Sequence, residues 1–134
     1  MRIIVGSAYG PIYPAGNALR PTSSASWPGW AIGRDVAVVP GGGSGYVLDG
    51  FGGLHPFGGA PPRNGASWPG WDIARDLVLL PNGSGYVLDG WGGIHPFGGA
   101  PPLGKGPSWV GNDIARKLVL FPQGAYVLDG NGGI

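Results

Sequence analysis

Gly85-Tyr86-Val87-Leu88-Asp89-Gly90-Trp91-Gly92-Gly93-Ile94-His95-Pro96-Phe97-Gly98-Gly99-Ala100-Pro101-Pro102 repeats residues 45–62, with Trp91 in place of Phe51 and Ile94 in place of Leu54. A third copy runs from Ala125 and Tyr126 to Ile134. Tyr86-Val87-Leu88 is a short β-prone run. Asp89-Gly90 supplies a turn, with Gly90 expected at positive φ. Ile94-His95-Pro96-Phe97 reads as the returning strand. Pro96 has no amide proton to donate, so either that strand stands at a sheet edge or Pro96 marks a bulge or a strand end. The stretch is therefore a hairpin with a glycine-rich turn.

Upstream, Ala74-Arg75-Asp76-Leu77-Val78-Leu79-Leu80 ends in an almost unbroken apolar run, the pattern of a strand covered on both faces. Pro81 to Gly85 turns it into the hairpin. Each unit is thus strand, turn, strand, turn, strand and Gly/Pro linker, with a possible fourth strand near Ser67 and Trp68 or near Ser108 and Trp109. Arg34, Arg75 and Arg116 recur every 41 residues, and so do Trp27, Trp68 and Trp109. Ser26-Trp27-Pro28-Gly29-Trp30 returns as Ser67-Trp68-Pro69-Gly70-Trp71, while the third copy has Asn112 at the second Trp position. Ile3 to Pro14 is a worn copy aligned with Tyr46 to Pro56. It has lost the Asp, and Tyr13 stands where the others have His; residues 16–25 then form its linker. One repeat domain, 1–134, divides into a worn half-unit 1–25, units 26–66 and 67–106, and a truncated unit 107–134.

The 30 Gly and 15 Pro among 134 residues fall at fixed places between apolar strands, so they mark turns rather than disorder. No Cys is present, which excludes disulfides and thiolate metal sites. A net charge of +1 without a Lys/Arg cluster gives no footprint for nucleic acid. No apolar run reaches membrane-spanning length, and no signal-peptide core stands at the N-terminus.

The pattern of a Gly-Tyr-apolar-apolar strand, a Gly-rich turn and Gly-apolar-x-x-Phe-Gly resembles bacterial propeller-type β-repeats over nearly the whole chain. Gly85 to Leu88, Asp89 to Gly92 and Gly93 to Gly98 carry it. The resemblance implies an all-β fold of propeller blades of about 40 residues and an extracellular setting. Propellers have about four to eight blades, so the three here imply either part of a longer array or a ring completed by oligomerisation, most economically a homodimer. A β-trefoil is the competing fold, since three repeats of this length also suit its pseudo-threefold symmetry.

The candidate ligand-binding residues are repeated ones. Trp27, Trp68 and Trp109, with Trp30 and Trp71, could stack on sugar rings or cover the seams between units. Asp49, Asp89 and Asp129 could form a ring of carboxylates for a cation or a sugar hydroxyl, or simply hold the Asp-Gly turn through local amides. His55 and His95 pack beside Pro and Phe, and no ligand spacing marks a metal site. Arg34, Arg75 and Arg116 are expected to brace a nearby turn or the repeat Asp. With no Glu, no Cys and no asymmetric constellation, catalysis and cofactors are not expected. The leading function is a non-catalytic, multivalent, lectin-like carbohydrate binder. The alternative is a structural, self-assembling repeat scaffold, with which a designed or reconstructed origin would also agree.

Overall fold

The computed structural model describes residues 2–16, 22 and 25–134, so most of the expected first linker lies outside the described residues. Among them the chain is all-β, with no helix and four small antiparallel sheets. β1 (Arg2–Gly6) pairs with β2 (Ile12–Gly16). β3 (Gly33–Val38), β4 (Gly45–Asp49) and β5 (Leu54–Phe57) form a three-stranded sheet. β6 (Ala74–Leu79), β7 (Gly85–Asp89) and β8 (Ile94–Phe97) repeat it, and β9 (Ala115–Phe121) pairs with β10 (Gly124–Asp129). Pro56 and Pro96 lie on the edge strands β5 and β8, where the missing N–H costs no ladder bond. No fourth strand forms near Trp68 or Trp109; both linkers run without regular pairing.

Every first strand is bulged at the same residue. Gly33 faces Asp49 and Asp35 faces Leu48, leaving Arg34 unpaired; Arg75 and Arg116 are skipped in the same way. A bulge re-aims the side chain it carries, and here the side chain is the repeated arginine.

β1–β2 keeps the expected frame in its returning strand, where Tyr13 and Pro14 take the His55 and Pro56 positions, and only its first strand starts one residue later than expected. Gly6 pairs with Ile12 as Leu48 pairs with Leu54, so Ile4 stands at the Tyr46 position and Ser7 at the Asp49 position. Ser7 keeps the turn without the carboxylate. Its amide donates to the Pro11 carbonyl at 3.0 Å, as the Asp49 amide donates to Gly53 at 3.0 Å.

Apolar side chains fill three successive seams. Tyr46, Leu48 and Leu54 meet Ala74, Leu77, Leu79 and Val87. Tyr86, Leu88 and Ala100 meet Ala115, Leu118 and Val127. Ile12 and Ala25 meet Val47 and Phe57. The buried Tyr46 and Tyr86 also donate their hydroxyls to the Pro61 and Pro101 carbonyls at 2.6 and 2.7 Å, tying each hairpin to its own linker.

Backbone bonds pin the seams as well. The Gly50 carbonyl accepts from Ile73 and Ala74 at 2.8 and 2.9 Å, and Gly90 does the same for Ile114 and Ala115. Gly90 is not among the positive-φ glycines; Gly92, at φ 95°, supplies that part of the turn. Gly90 is glycine because a Cβ there would strike the Asp113 carboxylate and come within 3.2 Å of Ile73.

The first strands β3, β6 and β9 lie beside one another. A groove of about 550 Å³ crosses them, lined by Val36, Val38, Val78, Leu80 and Val119, with Asp35 and Lys117 among its walls.

Candidate functional site

The turn after β4 and β7 is built by its aspartate. Asp49 Oδ1 accepts from the amides of Phe51 and Gly53 at 2.8 and 3.0 Å, and its Oδ2 meets His55 Nε2 at 2.7 Å. Asp89 binds Trp91, Gly93 and His95 with the same three distances. Burial pushes both carboxyls up, but the histidine and the two amides outweigh it and hold them below the usual carboxylate range. Asp129 keeps its two amide bonds, to Asn131 at 2.7 Å and Gly133 at 3.0 Å. Oδ1 is occupied by turn amides in all three, and Oδ2 by histidine in two of them. Among the described residues, no group of three or more His, Cys, Asp or Glu side chains could hold a metal ion.

The Trp-Pro-Gly-Trp linker closes a tight turn. The Trp30 amide donates to the Trp27 carbonyl at 3.0 Å, with Pro28 fixing one φ and Gly29 at φ 75°. This turn separates the tryptophans into two environments. The first of each pair sits at a seam. The amides of Trp27, Trp68 and Trp109 donate to the carbonyls of Tyr9, Phe51 and Trp91, on the preceding hairpin turn. The half-buried Trp27 and Trp68 rings then stand edge-on to His55 and His95, at 5.0 and 4.9 Å between centroids. The second tryptophan faces outward. Trp30 and Trp71 are 50% and 42% exposed, each with one ring neighbour from a hairpin turn. Trp30 lies 5.7 Å from Phe51, and Trp71 lies 4.9 Å from Trp91 at 70°.

The bulged arginines link successive units. Arg34 Nε donates to Asp72 Oδ1 at 3.0 Å, and its Nη2 pairs with Asp72 Oδ2. Its Nη1 caps the carbonyls of Ala31 and Gly33. Arg75 bonds Asp113 in the same two-pronged way and also reaches back to Asp72, while Arg116 reaches back to Asp113. An alternating row results: Arg34, Asp72, Arg75, Asp113, Arg116. Burial pushes Asp72 and Asp113 up, yet the paired guanidiniums outweigh it and hold both below the usual range. The arginines bond nearby carbonyls as expected, while the other expected partner, the repeat Asp, is corrected to Asp72 and Asp113. One signal was available in the sequence: unit 26–66 carries Ala31 at this position, and the half-unit before it has no counterpart of the arginine.

A second row, absent from the sequence reading, crosses the first strands. Asp35 Oδ2 accepts from the Leu77 amide at 2.8 Å, and Asp76 Oδ2 accepts from the Leu118 amide at 2.7 Å. Lys117, the third residue of the row, reaches Asp76 Oδ1 at 3.2 Å. Burial pushes the Asp35 carboxyl from its ordinary 3.8 up to about 8; Asp76 adds to the rise, and the Leu77 amide and Lys117 oppose it. A carboxyl that holds its proton more tightly when folded stabilises the fold fully below its unfolded value. That contribution is lost as pH rises toward the folded value. Asp49, Asp72, Asp89 and Asp113 act in the opposite sense, their contribution falling away below about pH 4. Stability should therefore peak near pH 4–5 and decline by about 2–5 kcal/mol toward pH 8–9. Asp35→Asn should flatten the alkaline limb, since an amide still accepts from Leu77 and can donate to Asp76. Urea melts across pH check this, and an unchanged alkaline slope in the variant would refute it.

Comparison with protein-family models, with curated proteins and with solved structures finds no match for this chain.

Proposed function

We propose that this chain is a non-catalytic, multivalent carbohydrate-binding module built on propeller-type blades. The observation that carries the reading is the pair of outward-facing tryptophans, Trp30 and Trp71. Each is held by a Pro-Gly turn and an aromatic neighbour, with much of its ring open to solvent. Aromatic faces of this kind stack on the C–H faces of sugar rings, and equivalent platforms on successive units raise avidity without high affinity per site. The blade reading, preferred to a trefoil, is supported by one sheet per unit and by adjacent first strands along an open groove. An extracellular setting follows from the propeller-type repeat.

Trp71→Ala should weaken glycan binding while stability changes by no more than about 1 kcal/mol. Trp68→Ala, at the seam, should cost about 3 kcal/mol. A glycan array with parallel thermal melts separates the two. Binding unchanged in Trp71→Ala would remove the outward tryptophan from the site.

The scaffold reading has its own support. β9–β10 exposes Val119, Phe121, Tyr126 and Leu128, and the same positions in the preceding unit are packed against it. A homodimer would cover this face with a further unit of the same kind and complete the ring. Light scattering at micromolar concentration tests it, and a monomer would remove the dimer from the proposal.

A further inference from the structure

We infer that the ligand sites are the aromatic pairs Trp30/Phe51 and Trp71/Trp91, so that two units are competent, the third is blank, and the ligand is a neutral glycan. The inference rests on the carbohydrate reading above and specifies its site and valency.

The third unit supplies the argument. Asn112 replaces the outward tryptophan and Asn131 replaces its ring neighbour, so both members of the pair are absent together. Nothing in the local backbone changes with them. The Asn112 amide donates to Trp109 at 2.8 Å, as Trp71 donates to Trp68 at 3.0 Å. The Ile114 amide donates to Asn112 at 3.0 Å, as Ile73 donates to Trp71 at 3.0 Å. The Asn131 amide reaches Asp129 at 2.7 Å, as Trp91 reaches Asp89 at 2.8 Å. The seam residue Trp109 is retained and still bonds the preceding turn. The fold therefore builds the same turn and linker without the aromatic pair. Two large rings half in water have no role in forming this backbone, and exposed aromatic surface held rigidly at repeated positions is a recognition feature.

Charge defines the ligand class. The cations beside the pairs are Arg34 and Arg75, and both are closed. Arg34 is engaged by Asp72 and by the carbonyls of Ala31 and Gly33. Arg75 is engaged by Asp113, by Asp72 and by the carbonyls of Ala74 and Asp72. Among the described residues, the guanidiniums adjoining the pairs are thus both engaged, and neither is free to select a uronate, sulfate or phosphate. Stacking on an uncharged pyranose ring is the contact this surface offers. The platforms are open rather than enclosed, which suits the flank of a chain of sugars.

The six indole N–H resonances give the test, because it works at the weak affinity expected of one stacking platform. Cellohexaose, chitohexaose and mannohexaose are titrated separately to millimolar concentration. Saturable shifts are expected at Trp30, Trp71 and Trp91 with at least one hexaose, leaving Trp27, Trp68 and Trp109 unmoved. Trp30→Ala should abolish one site and leave the other; Trp71→Ala should do the reverse. The double variant Asn112→Trp/Asn131→Trp should add two indole signals that shift with the same ligand. Shifts confined to Trp27, Trp68 and Trp109, or grafted tryptophans that stay unmoved in a chain melting normally, would overturn the inference and leave the carbohydrate reading standing. No shift with any hexaose would overturn both.

Discussion

Gly85→Ala should destabilise the protein by at least about 3 kcal/mol, enough to unfold a small domain of ordinary stability. Gly85 opens β7 and is paired on both sides, to Leu79 and to Phe97. A Cβ there would overlap the Val78 carbonyl oxygen and stand 3.1 Å from both the Leu79 Cα and the Phe97 ring. Neither neighbouring strand can retreat without opening a ladder, and Phe97 is itself buried. The useful control is Gly99→Ala. Gly99 has φ 88° and nothing within 4 Å of an added Cβ, so its cost should be backbone strain alone, about 1 kcal/mol. Denaturant titration of the two variants reads the difference directly. Equal costs would mean that the tight approach at Gly85 relaxes freely.

Leu88→Ala and Leu128→Ala are the same change at equivalent positions of two units, and they should differ severalfold. Leu88 has no exposed surface and fills the seam with Ala115, Leu118 and Val127. Its truncation should cost about 2–5 kcal/mol, because the cavity is walled by a neighbouring sheet that cannot collapse into it. Leu128 is 37% exposed, and in the monomer its truncation should cost about 1 kcal/mol or less. Tyr86 and Tyr126, 2% and 54% exposed, make the same contrast. Melts at several protein concentrations distinguish two outcomes. A small Leu128→Ala effect at every concentration describes an uncovered face. An effect that grows with concentration describes a face covered by a second copy.

The repeat unit was legible because its punctuation is chemical. Asp-Gly turns, prolines on returning strands and an apolar first strand each correspond to one backbone requirement, and the sheets β3–β4–β5 and β6–β7–β8 follow them. What stayed hidden depends on neighbours far along the chain. The carboxylate that meets Arg34 lies 38 residues away, and no local pattern says which of several aspartates it will be. The same holds for Asp35 and Asp76, whose partners, the Leu77 and Leu118 amides, come within reach only when two first strands lie side by side. Gly90 was read through turn conformation, but its constraint is the approach of Asp113 from the next unit. The tryptophans divided for a similar reason. Trp68 and Trp71 share one short linker, and only the position of the preceding hairpin decides that one ring enters the seam while the other stays outside.

The Asp35, Asp76, Lys117 row has a consequence for modular editing of the chain. Joining Ala66 directly to Ser108 would excise one period and keep every remaining strand in frame. Tyr46 and Leu48 would then face Leu118 and Val127, the counterparts of the Leu77 and Val87 they meet now, and Arg34 would find Asp113 in place of Asp72. The first-strand row would change character. Asp35 would lie beside a lysine instead of a second acid, so the shortened chain would exchange a crowded carboxyl pair for a matched pair of opposite charges. Interchangeable apolar seams make the units portable, while the order of three side chains across the first strands records which unit came first.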